Sequence, residues 1–298
     1  MFPNRNWDKT PLYGDKNKAK FLKYDRLIGI EFEASPHNTK LFVAPPGCGG
    51  GLDPSTDLEL QTPPLSADMA ECYIEAICDE YQDVGYDLTT SDGLHIHLDG
   101  KGFSDNQTNL MRLVNTYYAL EPIIYSTLPR ARRDNRFCRP ITSILSSGTL
   151  KAMFRTQSRK DIYYIHKAWY KNEKPELISA DKHGSTTGRY IGFNLHPLLK
   201  NGHLELRYHS GTVNKDKVMN WCWLNLHMLD WVQNGYRKSV VRKLLETKDF
   251  TEKVKVAFEG FEIPKKLQRY IGYRQNRFSN GNIYEAHDDG SYSDALLI

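Results

Sequence analysis

The stretch SDGLHIHLDG, residues 91–100, places two histidines two residues apart and is the first point at which this chain could do chemistry. Alternate side chains of an extended strand leave opposite faces. His95, His97 and Asp99 then share one face, and Leu94, Ile96 and Leu98 share the other. The same division recurs elsewhere. In YDRLIGIEFEA, residues 24–34, Ile28, Ile30 and Phe32 oppose Gly29, Glu31 and Glu33. In DLELQ, residues 57–61, Leu58 and Leu60 oppose Asp57, Glu59 and Gln61. RYIGFNLH, residues 189–196, turns Ile191, Phe193 and Leu195 inward and leaves Asn194 on the polar side. HLELRYH, residues 203–209, sets Leu204, Leu206 and Tyr208 against His203, Glu205, Arg207 and His209.

A single strand of this kind is ordinary, because a half-buried antiparallel strand alternates wherever one face meets water. The polar faces taken together are not. They carry Glu31, Glu33, Glu59, His95, His97, Asn194, Glu205 and Arg207, where a solvated face would be rich in Lys, Thr and Ser. Carboxylates gathered on one surface repel one another unless a cation lies between them. A set rich in carboxylates, with few imidazoles and no thiolates, suits Mg²⁺ or Mn²⁺ better than Zn²⁺. Arg207, on the same face as Glu205, requires an anion of its own. A phosphate held by metal and arginine together meets that requirement.

The elements that must position these residues follow from periodicity and capping. Helices are expected over 67–84, with Ser66 as N-cap, Gly85 as stop and a stripe of Met69, Tyr73, Ala76 and Ile77. Others are expected over 105–128 (opening at Ser104 and ended by Pro129), 158–171, 215–234 between Asn214 and Gly235, and 238–246, with a shorter element near 265–273. Strands separated by helices without regular βαβ spacing predict an α+β fold, an antiparallel sheet with helices on its apolar face. PPGCGGGLDPS, residues 45–55, reads as a surface loop, and no phosphate-loop signature accompanies it. LPRARRDNRFCRP holds Arg130, Arg132, Arg133, Arg136 and Arg139, which could bind an anion or form a solvated turn.

The chain of 298 residues carries 40 basic and 36 acidic residues, a net charge of +4 too balanced to predict a nucleic-acid partner. The polar N-terminal stretch lacks the apolar core of a signal peptide, and no apolar run reaches membrane-spanning length. Five cysteines without a C-x-x-C pair predict a reduced, cytoplasmic setting. The expected organisation is an N-terminal extension over 1–23, a catalytic domain over 24–235, and a C-terminal helical extension with a flexible tail over 236–298.

Six segments, IGIEFE, DPSTDLELQTPP, SDGLHIHLDG, RARRDNRFCRP, RYIGFNL and LELRYHSGTVNKDKVMNW, occur in an order that resembles the amidoligase family. That family belongs to the glutamine synthetase and γ-glutamylcysteine ligase superfamily. The resemblance implies a curved, mainly antiparallel sheet whose concave face holds ATP and two or three Mg²⁺ or Mn²⁺ ions. It implies a carboxylate and an amine as substrates, joined through an acyl phosphate. Carried over by motif, Glu31, Glu33, Glu59, His95 and Glu205 are metal ligands, and His97 lies by the nucleotide phosphate. Arg207 meets phosphate and, with Glu205 and His97, forms the catalytic set. Arg132, Arg133, Arg189 and Asn194 join the nucleotide-binding set. Two other readings use the same residues: a metal-dependent hydrolase, and a relative that binds nucleotide or peptide without turnover.

Overall fold

The computed structural model describes residues 24–53, 56–146, 148–149 and 187–279. Its main sheet has six strands. In chain order these are β1 (Ile28–Glu33), β3 (Gly49–Asp53), β4 (Thr56–Gln61), β6 (Gly93–Asp99), β7 (Phe193–Asn194) and β8 (His203–Ser210). A separate two-stranded pair is formed by β2 (Ser35–Pro36) and β5 (Tyr86–Asp87). The sheet order is β3-β4-β1-β6-β8-β7, and every pairing is antiparallel. The fold is therefore α+β with a mainly antiparallel open sheet.

The apolar sides of the strands are sealed. Ile28, Ile30, Phe32, Leu94, Ile96, Leu98, Leu204, Leu206 and Phe193 are all buried, each contributing roughly 1.5–3 kcal/mol by leaving water. Three helices cover them: α1 (Ala67–Val84), α2 (Gln107–Ser126) and α5 (Lys215–Asn234). Tyr81 of α1 lies against Phe32, and Tyr117 of α2 stacks on Phe193 at 4.5 Å between ring centroids. Trp221 of α5 packs under β8 against Tyr208 and His209.

The two helices with the clearest end signals run as their sequences predict. Helix α1 begins after Ser66 and stops at Gly85; its buried face is Ala70, Tyr73, Ile74, Ile77 and Tyr81, while Met69 is exposed. Ser66 bonds Asp68 instead of capping the backbone. Helix α5 begins at Asn214, whose side chain accepts the Lys217 N–H at 3.1 Å, and ends at Gly235. Helix α2 starts two residues later than expected, capped by Asn106 in place of Ser104.

Other expectations change. The glycine-rich segment is an edge strand over Gly49–Asp53, because its backbone pairs with β4 through Gly49↔Gln61 and Gly51↔Glu59. Residues 187–190 form a single turn of 3₁₀-helix, leaving only Phe193–Asn194 as strand. The expected helix over 158–171 lies outside the described residues. Among the described residues, two short α-helices lie before β8, α3 (Arg130–Arg133) and α4 (His196–Asn201). Gly202, left-handed at φ 80°, closes α4 and turns the chain into β8.

Among the described residues, three helices follow α5: α6 (Lys238–Glu246), α7 (Phe250–Gly260) and α8 (Lys265–Ser279). They pack on the same side as the other helices. Tyr270 of α8 places its hydroxyl 3.1 Å from His209 Nε2, and Arg274 donates to the Thr127 carbonyl at 2.9 Å.

Candidate active site

The register of the sheet assembles the polar residues. Glu31 lies opposite His95 on one side and Gln61 on the other. Glu33 lies opposite Glu59, His97 opposite Glu205, and Glu205 opposite Asn194. Cross-strand partners share a face, so Glu31, Glu33, Glu59, His95, His97, Glu205 and Asn194 stand on the side away from the helices.

Their side chains meet. His95 Nδ1 is 2.9 Å from Glu31 Oε2 and 3.8 Å from Glu205 Oε1, while its Nε2 is 3.5 Å from Glu33 Oε1. His97 Nε2 is 3.0 Å from Glu31 Oε1. Glu33 is buried and accepts the Gly93 backbone N–H. Glu205 is held at each oxygen: Oε1 pairs with Arg207, and Oε2 accepts from Asn194 Nδ2 at 2.5 Å.

The charges are strongly coupled. Burial alone would raise the Glu31 carboxyl, yet the His95 and His97 imidazoles beside it hold it well below the usual carboxylate range. Burial likewise works against Glu205, and the Arg207 guanidinium overcomes it to leave that carboxyl lowered. Burial opposes the charge on His97 too, but Glu31 raises its imidazole. Glu59 moves the other way: burial and the charge of Glu31 raise its carboxyl. Desolvation would lower the Arg207 guanidinium, and Glu205 more than reverses it.

One ladder irregularity lies at Arg207. On β6, one residue separates Leu94 from Ile96; their partners on β8, His209 and Leu206, are separated by two. The extra residue is a β-bulge at Arg207–Tyr208. Ahead of it, Glu205 points to the polar face. Beyond it the alternation is inverted, so Tyr208 and His209 both lie toward the helices. His209 is buried, its ring 5.4 Å from that of Trp221. The strict alternation predicted for residues 203–209 thus fails at its last position.

The arginines separate. Arg132 is buried, and its donors reach the carbonyls of Arg207 at 2.6 Å, Tyr208 at 3.3 Å and Ser91 at 3.3 Å. Arg133 donates to the carbonyls of Leu128 and Phe278, on the helix side. Arg189 lies half-buried in the turn before β7. Two further residues complete the polar face. Gln61 Nε2 donates to Glu59 and lies 3.4 Å from Glu31 Oε1. The His203 ring lies 5.1 Å from the His97 ring, tilted by 54°. Alternation in DLELQ and HLELRYH already placed these two beside the acids.

The residues present fit a hard divalent cation. One ligand atom each from Glu31, His97 and Glu205 lies within 4.8 Å of the others. His97 Nε2 is sealed from solvent and, among the described residues, has no partner with hydrogen-bond geometry, although Glu31 Oε1 is close. A ring nitrogen left this way beside two carboxylates is a ready ligand.

Neither a curated protein nor a solved structure matches the chain. Residues 14–229 match the family described as "putative amidoligase enzyme", a span that takes in every strand of the sheet and most of α5. A match over more than half of the 298 residues shows the relationship: the chain belongs to the amidoligase family.

Proposed function

We propose that the protein is an ATP-dependent carboxylate–amine ligase working on the polar face of its sheet. The observation that carries this reading is the convergence of Glu31, His97 and Glu205, with Arg207 paired to Glu205, in a chain of the amidoligase family. The reading implies a curved, glutamine synthetase-like floor. A carboxylate oxygen attacks the γ-phosphorus of ATP, ADP leaves, and an acyl phosphate forms. An amine nitrogen then attacks the acyl carbon, and phosphate leaves as the amide forms and the nitrogen loses a proton.

Glu31, Glu33, Glu59, His95 and Glu205 hold two or three Mg²⁺ or Mn²⁺ ions in this reading. The nearness of His97 to Glu31 and Glu205 supports it as a further ligand as well as a neighbour of phosphate. The ions, when bound, neutralise phosphate charge. Arg207 remains cationic at any working pH and meets the charge that grows on the transferring phosphoryl group. Asn194 and Arg207 keep Glu205 fixed at each oxygen, so it need not reorganise during the reaction.

The test is phosphate release from MgATP across a panel of amino acids and short peptides, with mass spectrometry of the products. Release that requires an acid and an amine together, with a new amide, supports the reading. ATP-independent hydrolysis of an amide, or nucleotide binding without turnover under every pairing, would defeat it.

A further inference from the structure

We propose that Arg132 is a positioning residue for Arg207: it clamps the bulge in β8 at which Arg207 sits and so fixes the main chain from which that side chain reaches across the polar face. The inference rests on the functional reading above for its catalytic consequence and on geometry for the clamp itself.

A bulge takes residues out of the ladder, so their main-chain groups need partners from elsewhere. Here the Arg207 N–H donates to the Gly192 carbonyl at 2.8 Å. The carbonyls of Arg207 and Tyr208 both accept from Arg132, at 2.6 and 3.3 Å. The third Arg132 contact, to the Ser91 carbonyl at 3.3 Å, ties the same guanidinium to the approach of β6. One planar fork thus joins the bulged residues to the turn that leads into the strand opposite them. Lysine presents its donors from a single point and lacks that reach.

The surroundings are shaped for this fork. A Cβ added at Gly93 would come within 2.5 Å of Arg132 Nη2, so glycine leaves the guanidinium its path. A Cβ at Gly192 would come within 2.3 Å of the Tyr208 ring, which lies on the helix side next to the bulge. The Arg132 carbonyl accepts from Cys138 Sγ at 2.9 Å, fixing the short helix that carries it. Among the described residues no carboxylate forms an ion pair with Arg132. Its donors are spent on main-chain oxygens, which sets it apart from an anion-binding arginine. Arg207, held by this arrangement, reaches Glu205 and the Phe137 carbonyl at 3.4 Å.

A structural arginine and a positioning arginine are told apart by whether the effect passes through Arg207. The variants are Arg132→Lys and, should the lysine protein not fold, Arg132→Gln, which retains two N–H donors. In protein labelled with ¹⁵N-arginine, the Nε–H resonance of Arg207, identified by its loss in Arg207→Met, should shift in the Arg132 variant while Mn²⁺ affinity stays within about threefold. An unmoved resonance overturns the clamp. In turnover, kcat should fall about 100-fold, the scale expected for a catalytic group misplaced by about 1 Å, with little change in KM for ATP. Added to Arg207→Met, the Arg132 change should cost less than about twofold more, because its effect is already lost. Additive losses, or a fall in melting temperature with kcat preserved, overturn the proposal. If wild-type protein releases no phosphate under any pairing, the functional reading fails and the resonance still decides the clamp.

Discussion

Asn194 Nδ2 lies 2.5 Å from Glu205 Oε2, on the oxygen that Arg207 leaves free. A two-residue strand at the sheet edge exists in part to deliver this contact. Replacing Asn194 with alanine strands a buried carboxylate oxygen, at a cost of about 1–3 kcal/mol. It also frees a candidate metal ligand to swing, which typically weakens affinity by about 10–100-fold. Thermal melts and Mn²⁺ titrations of Asn194→Ala should show both losses. A variant with unchanged Mn²⁺ affinity would place Glu205 outside the metal site.

Glu33 sets a second expectation. It is buried among like charges and accepts the Gly93 N–H. Glutamine keeps an acceptor there and removes one repelling charge, so Glu33→Gln should melt at or slightly above the wild-type temperature without metal. The rise in melting temperature on adding Mn²⁺ and ATP should shrink, since ligand stabilisation follows affinity. A variant that unfolds in the absence of metal would make Glu33 a structural residue.

Arg207 separates binding from chemistry. An arginine that meets charge only as it develops accelerates the step without tightening the ground state. Arg207→Met should therefore lower kcat by on the order of 10³-fold with a small change in ATP affinity. Arg207→Lys should recover part of the rate, having kept charge without the fork. Near-normal phosphate release from a folded Arg207→Met protein would remove this residue from the mechanism.

Beneath the sheet, Glu121 predicts a pH dependence of stability. Its carboxylate accepts the Ile141 N–H and the Tyr208 hydroxyl, and burial pushes its pKa up to about 7 from 4.5. Between these values the folded chain binds the proton that the unfolded chain has released. Stability from this group is complete below about pH 4.5 and is lost as pH rises through about 7, a change of on the order of 3 kcal/mol. Chemical denaturation across pH 5–8 should show that decline, and Glu121→Gln should flatten it. An equal slope in the variant would mean that other groups produce it.

The sequence made some of this legible, for identifiable reasons. Helix α5 could be read to the residue because Asn214 and Gly235 are local signals that act on the backbone beside them. Glu31, His95, His97 and Glu205 could be grouped because alternation sorts each strand into faces without knowledge of its neighbours. The edge strand at Gly49–Gly51 could not, since glycine carries no preference for extended chain and only the pairing with β4 makes it a strand. Helix α7 was missed although Asp249 accepts the Glu252 N–H at 2.8 Å, a capping signal visible in DFTE. The role of Arg132 had no local signal at all. Its partner at Arg207 lies 75 residues away and offers only a carbonyl, which every residue has. His209 was misplaced because a bulge is a property of two strands together.

Among the described residues no strand pairs with the outer side of β3, and that edge bears on how copies of this chain meet in solution. At β3 the main chain is exposed, and edges of that kind tend to recruit further strands. Here three of the five residues on offer are Gly49, Gly50 and Gly51. Along the glycines an arriving strand would gain main-chain hydrogen bonds but no side-chain pairs to lock a register, and it would have to immobilise residues of high conformational freedom. The glycine run therefore makes that edge a weak template for self-association.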